Sequence, residues 1–336
     1  MLGLAAALGL LAGAGMALAP AASADTPACL VINPAAHASY PDLQAAVTAA
    51  TPWASLLVRG TCPGATVIGE GLTVTGVGGS SDPATLTSGG AGTVLTVNSG
   101  ATVTIRTLTI TDGYTKGGAG GIDNSGTLTL DNVTVTGNSS EGVGGIDNYD
   151  GVLTLNGRSS VTGNDGDGGP GGIETDGGTL TLNDWATVSD NTGSSGGGIG
   201  IGFAGIGSTV TLNGWASVTG NTAQGDGGGI EMYLGTITLN GWASVTGNTA
   251  QGDGGGIDNY GTVTLRGFAR VSHNTTAGDG GGIDNESGGV VTVKDFATVS
   301  YNTAAGDGGG IWNGGTLIGA IAGLNVFRNS PDDIAS

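Results

Sequence analysis

Residues 227–248 read GGGIEMYLGTITLNGWASVTGN, and this stretch decides the fold. Thr236-Ile237-Thr238-Leu239 alternates polar and apolar side chains, the period of a strand with one buried face. Asn240-Gly241 supplies a bend that tolerates positive φ. Residues 243–246 then read as a second short strand, with Ala243 and Val245 inward and Ser244 and Thr246 outward. Asn248 closes that strand, and Gln251-Gly252-Asp253 leads into the next Gly-Gly-Gly-Ile.

Working outward, the glycine-isoleucine phrase recurs at Ile122, Ile146, Ile173, Ile199, Ile230, Ile257, Ile283 and Ile311, at intervals of 24 to 31 residues. A second phrase, Val-x-x-Asn, ends at Asn138, Asn164, Asn191, Asn221, Asn248, Asn274, Asn302 and Asn329. A fixed period of this size marks a chain built by stacking one unit. Three short strands and three turns per period predict an all-β parallel β-helix of about ten coils, each strand lying about 4.8 Å from its counterpart. The valines of the second phrase (135, 161, 188, 218, 245, 271, 299 and 326) form an unbroken file, as stacking in a dry interior requires. For the asparagines the expectation is an αL bend together with side-chain amides bonded from coil to coil.

Four segments follow. Residues 1–24 read as an export signal: an apolar run ends in Ala22-Ser23-Ala24, an A-x-A cleavage site before Asp25, although no Lys or Arg precedes the run. Residues 25–113 hold an N-terminal cap and irregular first coils. Within them residues 41–50 place Leu43, Ala46, Val47 and Ala50 at helical spacing, predicting a short capping helix over the open end of the stack. Residues 114–329 hold the regular repeats, and 330–336 form a tail with no further coil. Two cysteines, Cys29 and Cys62, predict one disulfide in an exported chain. The chain is thus expected to be extracellular or displayed at the cell surface after cleavage near Ala24, with no membrane span in its mature part.

In 336 residues there are 27 acids and 8 bases, a net charge of −19, which makes a phosphate backbone a poor partner and cations good ones. The 72 glycines follow no collagen triplet and belong to turns.

With these phrases in hand, the chain resembles secreted right-handed parallel β-helix proteins of the pectin-lyase-like superfamily. More narrowly it resembles those with polymorphic outer-membrane-protein repeats, GGA[ILV] and FxxN. GGGI and VxxN stand in those places over residues 117–329, with Val in the place of Phe. The resemblance implies the fold firmly and the activity weakly. Members include surface adhesins, and the autotransporters among them end in an outer-membrane barrel, a route of anchoring not expected here. Lyases and hydrolases also use this fold, so fold alone carries no activity.

Four sets of residues are candidates for function. The first is an aromatic file, Trp185, Trp215, Trp242, Phe268 and Phe296, one ring per coil. Strand parity sets each ring opposite to the buried alanine that follows, predicting an exposed platform for sugar faces. The second is Asp226, Asp253, Asp279 and Asp307, each in Gly-Asp-Gly-Gly-Gly-Ile. Stacked carboxylates repel, and calcium is the cation that oxygen-rich loops would take. The third, Asp123, Asp147, Glu174, Glu231, Asp258 and Asp284, follows each isoleucine and is expected to project outward as an acidic stripe. The fourth is a recurrent outward Thr-x-Thr, which also suits any exposed strand. Glycoside hydrolysis needs two carboxyls with distinct roles at one place, whereas a repeat puts like groups at every place. The reading is therefore a non-catalytic, adhesin-like β-helix that binds a polysaccharide or a cell-surface glycoprotein. A polysaccharide lyase or hydrolase and a structural envelope component stay open as alternatives.

Overall fold

The computed structural model describes residues 29–79, 82–205 and 207–336; the expected export signal lies outside the described residues. The alternation read from the sequence becomes a parallel β-helix of about ten coils, nearly all β. A representative coil runs Ile230–Met232, Gly235–Leu239, Ser244–Thr246 and Thr249–Ala250. Each of these strands pairs in parallel with its equivalent in the next coil, so four ladders run along the axis. The regular coil therefore has one ladder more than the three strands expected. The fourth strand is two residues long, too short for an alternation to be read.

The valine file is in register at every coil and fully buried. The isoleucines of the first ladder and the Leu-x-Leu-type pairs of the second meet it in one continuous core. The asparagines lie inside as well, and their polar groups are satisfied. Asn221 Nδ2 donates to Asn248 Oδ1 and to the Val188 carbonyl, both at 3.0 Å, and the Asn221 backbone N–H donates to the same Asn248 oxygen at 3.0 Å. This amide chain is unbroken from Asn138 to Asn329. Its ends are closed too: Gly113 donates its N–H to Asn138 Oδ1, and Asn329 donates to Asp333 Oδ1, each at 3.0 Å.

The αL bend sits one residue earlier than expected. Gly220 and Gly247 have φ of 66° and 67°, and Asp190, His273, Tyr301 and Arg328 hold the equivalent place at 55° to 60°. The preceding residue makes the corner, which turns the asparagine inward, where its amide is worth more than its tolerance of strain.

The first coils are capped as their amphipathic pattern predicted. Helix Leu43–Ala49 is N-capped by Asp42, whose Oδ1 accepts the Ala45 N–H at 2.7 Å, and it buries Leu43, Ala46 and Val47. Leu30–Asn33 lies antiparallel to Ala54–Arg59, covering the edge of the second ladder. Cys29 and Cys62 form a disulfide across 33 residues, tying this cap to the third ladder through Cys62, which pairs with Leu86. Closing a loop of that length stabilises by about 3–4 kcal/mol in the chain-entropy model. At the far end Ile334–Ala335 pairs with the strand at Ile311, adding a last rung where none was expected. No helix among the described residues is long and apolar enough to cross a membrane.

Removing one amide strands its neighbours. Asn221→Ala leaves the Asn191 N–H without its acceptor and its Nδ2 with one of two, and should lower stability by about 2–5 kcal/mol. The outward Thr219→Ala should stay within about 0.5 kcal/mol. Urea midpoints compare the two, and an Asn221→Ala midpoint matching wild type would remove the ladder from the list of stabilising elements.

Candidate functional site

Two corners of the coil carry chemistry. The first lies between the second and third ladders, where the Asn-Gly bend is followed by an aromatic residue. Backbone bonds fix the rings in register: Trp215 N–H donates to the Asp184 carbonyl at 2.8 Å, Trp242 N–H to Gly214 at 2.7 Å and Phe268 N–H to Gly241 at 2.7 Å. Trp185, Trp215, Trp242, Phe268 and Phe296 are all exposed, between 40% and 71%. Parity thus predicts their direction correctly. Their faces are another matter. Successive centroids lie 5.2, 5.1, 4.4 and 5.2 Å apart, with planes within 11° of parallel. The coil repeat is close to the stacking distance of aromatic rings, so the rings fill one another's faces and present mainly edges. The expected flat platform is a ridge of edges about 20 Å long.

The ridge has an open end. Arg158 occupies the same slot one coil before Trp185, and a cavity of about 360 Å³ lies between them, lined by Arg158, Trp185 and Thr187. Among the described residues Trp185 stacks on one aromatic ring, Trp215, and it also lines this cavity. Farther along, the Arg270 guanidinium lies over the Trp242 ring, 5.6 Å from its centroid.

The second corner lies between the fourth ladder and the next first ladder, in the Gly-Asp-Gly-Gly-Gly-Ile turn. Here the aspartates hydrogen-bond along the axis. Asp226 Oδ1 accepts the Asp253 N–H at 2.7 Å, Asp253 Oδ1 the Asp279 N–H at 2.6 Å, and Asp279 Oδ1 the Asp307 N–H at 2.6 Å. Each carboxylate rests over the glycine preceding the next aspartate; a Cβ on Gly252 would sit 1.9 Å from Asp226 Oδ1. That contact explains why glycine precedes the aspartate in these coils.

The stripe after the isoleucines does not project outward as expected. Glu231, Asp258 and Asp284 are only 1–2% exposed, and Asp123, Asp147 and Glu174 are half-buried. The glycine turn folds back over them: Gly254, at φ 62°, packs against Asp258. Two unit charges about 4.8 Å apart repel by about 3 kcal/mol at an effective dielectric near 20. Burial pushes the Asp258 carboxyl up to about 9, with the charges of Asp284 and Glu231 adding to the shift. Burial likewise raises Glu231 to about 7 and Asp284 to about 8. Along the earlier coils burial and the neighbouring acids hold Asp147 near 6 and Glu174 near 8.

Beside this file runs an aromatic column that the sequence reading missed. Tyr233 stacks on Tyr260 with centroids 5.4 Å apart, and Phe203 packs against Tyr233 at 5.0 Å. Its signal was a tyrosine three residues after the isoleucine, at Tyr149, Tyr233 and Tyr260.

No family model, curated protein or solved structure matches this chain.

The raised carboxyls set a pH dependence. Asp147 and Glu174 titrate higher in the folded chain than their ordinary values of 3.8 and 4.5, so the folded state binds more protons and its stability falls as pH rises. In chelator, the denaturation midpoint should decline between about pH 4 and pH 8. Asp147→Asn combined with Glu174→Gln should flatten that decline. A profile as steep as wild type in the double variant would show that these carboxyls do not cause it.

Proposed function

We propose that this chain is a secreted or surface-displayed, non-catalytic β-helix that binds polysaccharide at the open end of its aromatic ridge. A β-helix suits a surface-binding or a structural role. The observation that favours binding is the cavity at the end of the ridge, lined by Trp185, Arg158 and Thr187. An indole face stacks on the apolar face of a sugar ring, and a guanidinium fork pairs with a carboxylate. That combination fits a glycan with acidic sugars, free or carried on a cell-surface glycoprotein, and hence an adhesin-like role. The GGGI and VxxN phrases and the parallel coil support membership of the pectin-lyase-like group with outer-membrane-protein-type repeats. The periodic placement of the acids supports a non-catalytic role, since like groups recur where a lyase or hydrolase would need unlike ones.

Binding to uronate-containing and neutral polysaccharides, by affinity electrophoresis and calorimetry, tests this reading. Trp185→Ala and Arg158→Ala should each weaken binding to the acidic polymer about tenfold or more, equivalent to about 1.4 kcal/mol. Trp242→Ala, whose faces are already covered, should change it by less than about threefold. Melting curves verify that the variants are folded. Equal binding by all four proteins, or by none, would end the proposal.

A further inference from the structure

The acidic corner makes a separate demand. Asp226 and Glu231 come from one coil, on either side of the glycine turn, and Asp258 pairs with Glu231 from the next. One carboxylate oxygen from each lies within 4.8 Å of the other two. Glu231 Oε2 and Asp258 Oδ1 are buried and have no hydrogen-bond partner, although their residues are only 1% and 2% exposed. Asp284 Oδ1, one coil further, is in the same state. Buried acceptors are ordinarily satisfied, and three unsatisfied ones in a single column point to a missing positive partner. The protein does not supply that partner: among the described residues the two ion pairs are Arg106–Asp131 and Lys116–Glu141, both exposed and elsewhere.

We infer that Asp226, Glu231 and Asp258 bind a divalent cation, and that the cation is calcium. The donor set is oxygen only, which suits a hard ion; zinc and copper would call for His or Cys. Size separates the two hard candidates. Calcium bonds of about 2.3–2.6 Å span oxygens up to about 5 Å apart, whereas magnesium bonds of about 2.0–2.1 Å span only about 4 Å. The three oxygens lie within 4.8 Å of one another, inside the span that a calcium shell allows. Asp226 is held in place by the Asp253 N–H on Oδ1, which leaves its second oxygen for an ion. Asp226 is also only half-buried, so water reaches the site and completes the larger coordination shell that calcium takes. Because Asp258 belongs to the next coil, the ion clamps two coils together at the point where like charges would otherwise push them apart.

The test uses the purified mature chain, without glycan, stripped with chelator and then titrated with calcium, magnesium or terbium. Calcium should raise the melting temperature by several degrees, and magnesium at equal concentration should raise it less. Terbium should luminesce when tyrosine is excited, because the Tyr233–Tyr260 stack lies beside the site, and calcium should quench that signal. Asp258→Asn should abolish both responses while melting in chelator at or above the wild-type temperature, since it removes a buried acidic group that has no partner there. That opposite sign separates a lost site from a misfolded variant. Trp185→Ala and Arg158→Ala should keep the full calcium response, so failure of the ridge and failure of this site can be told apart. No calcium-dependent shift at millimolar concentration, or an undiminished shift in Asp258→Asn, overturns the inference.

Discussion

Each strand of the regular coils lies in register on its equivalent from the coil before, so most side chains have one of like chemistry as nearest axial neighbour. This constraint governs the rest of the structure. A column of valines satisfies it by apolar contact alone. A column of asparagines satisfies it because an amide is both donor and acceptor, and each one gives to the next what it receives from the last. Aromatic rings satisfy it because the coil repeat is near their stacking distance. Carboxylates alone cannot: they accept without donating and repel at that spacing.

The same rule redirects the reading of the aromatic file. Self-stacking contributes about 0.5–1.5 kcal/mol per pair beyond burial, which a ligand would have to exceed to insert between rings. Interior rings therefore serve the stack, and the proposed recognition belongs where the column ends. At Trp185 the preceding coil offers Arg158 in place of another ring, so the interruption in the repeat ends the column beside a cavity. Departures from periodicity are thus the places where this fold can become specific.

The columns themselves were legible in the sequence. Their spacing identified the valine and asparagine files, the Asn-Gly corner and the outward direction of Trp215 and Trp242. What could not be read was anything set by the depth of a turn. The αL residue lies before the asparagine because the corner must be finished before the amide turns inward. Asp258 and its equivalents seemed to point outward by strand parity. They are buried because the glycine turn, lacking side chains of its own, lies back across them. Stacked faces were hidden too, since parity gives a direction and not the distance between planes. The fourth ladder escaped because two residues carry no period.

The arrangement of charge then follows from which corners each type can occupy. Four of the eight basic residues, Arg158, Arg266, Arg270 and Lys294, lie at or next to the aromatic corner. The aspartates there, Asp184 and Asp295, are engaged by the N–H groups of Gly157 and Gly267. Across the coil, the glycine turns hold both acidic files. A chain with a net charge of −19 thereby gathers half of its basic residues at one edge. Neutralising the opposite corner with cations would relieve the like-charge repulsion there and tighten the stack. The two corners share no residue, so the basic cluster and the acidic files sit at separate turns of the coil.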